Sequence, residues 1–154
     1  MEAVTTPSHA AKARWAAVFS LFMGVTCLIS AEFIPVSLLT PIARGLSISE
    51  GMTGQTVTAV GALAMLTSLL LAPLTRHTDR RRILLILSAL LIASNVLVAT
   101  ASSYAMLLLG RGLLGICVGG FWSMASAVTI QLVPPRDIAR ALSILYSGVS
   151  VATI

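Results

Sequence analysis

Charge is scarce in this chain. Only 10% of the residues are charged and only five are acidic, whereas soluble domains carry about 25% charged residues. With 57% hydrophobic residues, a soluble fold would lack the polar surface to cover its own interior. Cysteine is almost as sparse: Cys27 and Cys117 both fall in apolar runs, where a thiol serves as a small buried side chain. His9 and His77 stand alone in polar segments, without the spacing of a zinc site. There is no phosphate-binding glycine loop, no serine-nucleophile motif and no cluster of metal ligands. These absences argue against an enzyme, and they leave no residues to hold a metal or cofactor.

What the chain has instead is a series of long apolar runs. Crossing about 30 Å of hydrocarbon takes about 20 apolar residues in a helix. Runs of that length cover 15–40, 52–75, 83–103 and 104–133, and a fifth covers 141–154. The expectation is an all-α integral membrane bundle of four complete transmembrane helices and part of a fifth, behind a cytoplasmic tail of residues 1–14. The fifth run is too short for a complete crossing, so the chain reads as a fragment. The first run is too long for a cleaved signal peptide and contains Glu32, so it reads as a retained helix.

The formal net charge of +5 would suit nucleic acid only if the basic residues shared one exposed face. They alternate with the spans instead. Lys12 and Arg14 precede the first, Arg76, Arg80, Arg81 and Arg82 lie between the second and third, and Arg136 and Arg140 follow the fourth. The opposite connections hold only Arg44. This is the positive-inside bias, which puts the N-terminus and the 76–82 loop in the cytoplasm. The lipid bilayer, rather than nucleic acid, is the expected partner.

Breakers and caps divide the spans further. Pro35 should kink the first and Pro41 end it. Ser47-Ile48-Ser49-Glu50 has capping-box spacing, so the second helix should begin close to Ser49. Gly115 and Gly119, with Gly112 and Gly120 beside them, permit close approach of a neighbouring membrane helix. Val133-Pro134-Pro135-Arg136 breaks the chain before the last run.

Two ionisable residues lie inside spans. A charge at membrane depth costs about 3 kcal/mol on insertion scales and marks a solute or ion pathway with a partner nearby. At 1.5 Å per residue, Glu32 sits about 25 Å up the first helix, and Arg111 about 10 Å down the fourth from the opposite side. Their depths are therefore similar and the two can meet. Desolvation favours a neutral carboxyl group and a guanidinium favours a charged one, so the pair suits a proton-coupling site. Helical spacing puts Arg111, Gly115, Val118 and Trp122 on one stripe, which with Asn95 of the third span provides candidates for a pocket that takes a planar, hydrogen-bonding solute. Asp79, Arg80, Arg81 and Arg82 form a charged turn. It is either a solvated loop with Asp79 as a helix cap or a conformational latch.

Taken together, these residues resemble the N-terminal half of a major facilitator superfamily transporter, in the drug:proton antiporter branch. Asp79-Arg80-Arg81-Arg82 is similar to the superfamily's cytoplasmic signature, with Thr75 where glycine is usual, His77 where leucine is usual, and no glycine after the Asp-Arg pair. Arg111 followed by Gly115 resembles the fourth-helix motif of proton-coupled exporters, with Leu114 replacing the usual glutamine. Glu32-Phe33 resembles the sugar and nucleoside efflux branch. The resemblance implies twelve helices in two halves, the substrate between them, and efflux of purine ribonucleosides in exchange for protons across a bacterial inner membrane. It also implies that the C-terminal half is missing here and that the 154 residues alone do not transport. The alternatives are a sugar or multidrug exporter of the same superfamily, or a non-transporting membrane remnant.

Overall fold

A computed structural model describes residues 13–74 and 79–154. Residues 1–12, His9 and Lys12 among them, and Thr75, Arg76, His77 and Thr78 lie outside the described residues. The described residues form six α-helices: α1 (Trp15–Ser37), α2 (Leu39–Gly45), α3 (Glu50–Leu74), α4 (Arg80–Ala99), α5 (Tyr104–Leu132) and α6 (Ile138–Thr153). A single 3₁₀ turn over Pro135–Asp137 precedes α6. Four of the helices, α1, α3, α4 and α5, are long and apolar enough to cross a membrane.

Short polar side chains start α3, α4 and α5 by accepting amides that have no partner within the first turn. Ser103 Oγ accepts the amide of Met106 at 3.3 Å at the start of α5, and the Asp79 carboxylate accepts that of Arg81 at 3.0 Å at the start of α4. At α3 the cap is Ser49, whose hydroxyl accepts the Met52 amide at 3.1 Å. The expected capping box does not form. Ser47 takes a left-handed φ of 52° to turn the chain, and the Glu50 carboxylate accepts the Thr40 hydroxyl at 2.8 Å. The first span also ends differently from expectation. The break falls at Leu38, and Pro41 sits in the first turn of α2, where its missing N–H disturbs no helical hydrogen bond.

The bundle is built around α5. Both α3 and α4 pack along it, α6 packs along α1, and α1 meets α5. The core joins Val25, Leu28 and Ile29 of α1, Val60 of α3, Leu114, Cys117, Phe121 and Ala125 of α5, and Leu145 of α6. A smaller cluster of Val18, Val133 and Ala141 closes the end where α1 starts and α5 finishes, and the Arg14 amide donates to the Leu132 carbonyl there at 2.9 Å. The Arg140 guanidinium lies 5.3 Å from the centre of the Trp15 ring at the same end, a cation–π contact.

Small residues set the α3–α5 distance. A Cβ at Gly115 would lie 2.6 Å from the Val60 carbonyl oxygen, and one at Gly119 would run into the Ala64 carbonyl. Lipid tails are as apolar as leucine, so helices in a bilayer gain by close backbone approach rather than by escape from water.

Candidate functional site

Pro35 lies inside α1. It has no N–H to offer the carbonyl four residues earlier, that of Ala31. In hydrocarbon a carbonyl without a partner is costly, and Arg111 supplies the missing donor. Its Nη1 donates to the Ala31 carbonyl at 3.2 Å and to the Glu32 carbonyl at 3.3 Å, and its Nη2 donates to the Glu32 carbonyl at 3.4 Å. Among the described residues Arg111 is the largest fully buried side chain, at 0% exposure. Its Nε is buried with no hydrogen-bond partner among the described residues.

Glu32 and Arg111 therefore sit at one depth, joined through main chain rather than through the carboxylate. Among the described residues the ion pair that forms is Arg136 with Asp137, at 3.6 Å. Glu32 itself is half-buried, and it is its main-chain oxygen that meets the guanidinium. The Arg111 guanidinium, the main chain of Glu32 and the proline-containing last turns of α1 thus occur together.

The other expected pocket residues are spread out. Gly115 is pressed against the α3 main chain, and Val118 is buried in the core at 8% exposure. Both are occupied by packing. Asn95 is exposed on α4, and its amide nitrogen donates within its own helix to the Leu91 carbonyl at 2.9 Å. The buried polar residue of that helix is its neighbour Ser94, whose hydroxyl donates to the Gly110 carbonyl at 2.7 Å. Trp122 is only partly buried, and its ring stacks on that of Tyr146 with centroids 5.9 Å apart. Asp79, Arg80, Arg81 and Arg82 are all exposed at the start of α4, with Asp79 as its cap.

Sequence reasoning missed Ser94 and Tyr146. Ser94 could have been found, because it lies seven residues beyond Leu87, on the buried stripe of Ile83 and Leu87, whereas Asn95 is turned about 80° away from Leu87. Tyr146 carried no comparable signal, since its partner is on another helix. Cys27 is exposed and Cys117 buried, both as free thiols.

Four helices long and apolar enough to cross a membrane, with a fully buried arginine of α5 docked on main-chain carbonyls of the proline-containing α1, fit a membrane-transporter scaffold. The Major Facilitator Superfamily model matches residues 15–154. The chain belongs to this superfamily.

Similar proteins narrow the branch. The chain is 45% identical over 153 residues to the purine ribonucleoside efflux pump NepI of Shigella sonnei, covering 99% of the chain and 37% of that protein. It is 46% identical over 144 residues to the protein of the same name from Salmonella paratyphi B, covering 94% of the chain and 36% of that protein. The Salmonella typhimurium protein gives the same figures, 46% over 144 residues, 94% and 36%. The chain thus spans little more than a third of the length of these relatives.

Proposed function

We propose that these helices form part of a proton-coupled efflux pump for purine ribonucleosides, seated in a bacterial inner membrane with the N-terminus in the cytoplasm. The observation that carries this reading is the fully buried Arg111 guanidinium, docked on the main-chain carbonyls of Ala31 and of Glu32, the one acidic residue of α1. In this reading Glu32 carries the exchanged proton. Arg111 holds a permanent positive charge next to it, so that loss of the proton leaves a neutral pair rather than a lone carboxylate in the membrane. Because the charge rests on carbonyls where Pro35 removes a helical hydrogen bond, a shift of α1 on either side of Pro35 changes the distance between the two groups and so the ease of proton release. Asp79, Arg80, Arg81 and Arg82 would then act at the cytoplasmic ends of the helices as the loop that follows this shift.

The substrate class rests on the relatives, which are named for purine ribonucleosides. Five helices of a twelve-helix scaffold offer one wall of a central site, so the remaining wall has to come from further helices of the transporter. The test is accumulation of radiolabelled inosine in everted membrane vesicles from cells that express the transporter containing these helices. The expected result is accumulation driven by an acid-inside gradient and abolished by a protonophore. Accumulation of unrelated cationic drugs in place of inosine would instead favour a multidrug exporter.

A further inference from the structure

Trp122 of α5 and Tyr146 of α6 are nearly parallel, with ring planes 12° apart and centroids separated by 5.9 Å. Tyr146 remains 47% exposed, so the stack on Trp122 leaves part of the residue accessible. At 1.5 Å per residue, Trp122 lies about 15 Å from the Leu132 end of α5 and Tyr146 about 12 Å from the Ile138 end of α6. Both rings are thus well inside the hydrocarbon, away from the interfacial level where such amphipathic rings otherwise gather.

A tyrosine hydroxyl at that depth needs a partner, and it finds the Ser126 hydroxyl at 2.8 Å. Ser126 differs in this from other serines of the bundle. Ser20, Ser68, Ser88, Ser123, Ser143 and Ser147 all donate back to a carbonyl of their own helix, the usual way to hide a hydroxyl in lipid. Ser126 points across to α6 instead. Two hydroxyl groups joined by one hydrogen bond share two protons and use one, so an O–H donor and several lone pairs remain for a third group.

An exposed aromatic ring beside a hydroxyl pair suits a solute that is flat and aromatic at one end and carries hydroxyl groups at the other. We propose that Tyr146, backed by Trp122 and paired with Ser126, is the subsite that stacks the purine base and hydrogen-bonds the nucleoside. This rests on the nucleoside-efflux reading above and adds Tyr146 and Ser126 as specificity-determining residues. Trp122 acts by holding the Tyr146 ring flat. The Arg111–Glu32 pair lies about 16 Å away along α5, so proton coupling and base recognition occupy different places on one helix.

Base–aromatic stacking is worth about tenfold or more in affinity. In the transporter containing these helices, Tyr146→Leu should therefore raise the inosine KM about tenfold with little change in maximal rate. Tyr146→Phe, which keeps the ring, and Ser126→Ala, which removes the hydroxyl partner, should each raise it about threefold. Normal inosine KM in Tyr146→Leu, with the wild type exporting inosine, would overturn the subsite and leave the efflux reading standing. Failure of the wild type to export inosine would overturn the efflux reading and this inference with it. Should Tyr146→Leu fail to insert, the other two variants decide: a raised KM supports the subsite, and wild-type KM in both overturns it.

Discussion

Replacing Arg111 by methionine keeps most of the side-chain volume and removes the charge, and its effect on stability divides into two opposing parts. Hydrogen bonds from a charged donor contribute about 1.5–3 kcal/mol each, and the 3.2–3.4 Å distances to the Ala31 and Glu32 carbonyls place both acceptors toward the weak end, about 3 kcal/mol together. Removing a charge from the membrane regains about 3 kcal/mol on insertion scales. The single substitution is therefore close to neutral and decides nothing. The informative quantity is its coupling to Pro35. In Pro35→Ala the helix recovers an N–H for the Ala31 carbonyl, so Arg111 loses one of its two acceptors and its removal should be less damaging. A double-mutant cycle isolates that term. Comparing the wild type, Pro35→Ala, Arg111→Met and the double variant by thermal unfolding in detergent should give a coupling of about 1 kcal/mol. For a chain of this size that is about 2–4 °C in midpoint. Effects that add within about 0.3 kcal/mol would refute the idea that Arg111 satisfies the carbonyl that Pro35 frees.

Other consequences follow from the packing and the caps. Gly119→Ala puts a methyl group into the Ala64 carbonyl and should destabilise by about 2 kcal/mol as α3 and α5 are pushed apart. Gly54→Ala, where nothing lies within 4 Å, should be neutral or stabilising by about 0.5–1 kcal/mol; the same unfolding assay checks both. Asp79→Ala removes the acceptor of the Arg81 amide and should cost about 1 kcal/mol, with Asp79→Asn retaining most of the stability. If the asparagine variant is as unstable as the alanine one, the carboxylate has a role beyond capping, as a latch requires.

The membrane architecture was legible because hydrocarbon thickness demands long apolar runs, and α1, α3, α4 and α5 each contain one. The common depth of Glu32 and Arg111 was legible for a similar reason: helical rise converts sequence position into height. What contacts what at that height was not. The guanidinium reaches main-chain carbonyls because Pro35 frees one of them, and that preference depends on the α1–α5 distance, which no single helix encodes. Gly115 lay on the expected stripe but on the side turned to α3. There the same small size that would open a pocket instead admits the Val60 carbonyl. Asn95 and Ser94 differ by one position, about 100° around a helix, and polarity alone could not say which of them faces inward.

The central claim is that Glu32 carries the proton exchanged for substrate. Proton release on inosine binding to the purified transporter, followed with a pH indicator in weakly buffered detergent solution, tests this most directly. The wild type should release protons as inosine binds, and Glu32→Gln should bind inosine with no release. Equal release from Glu32→Gln would contradict the account and move proton coupling to another residue.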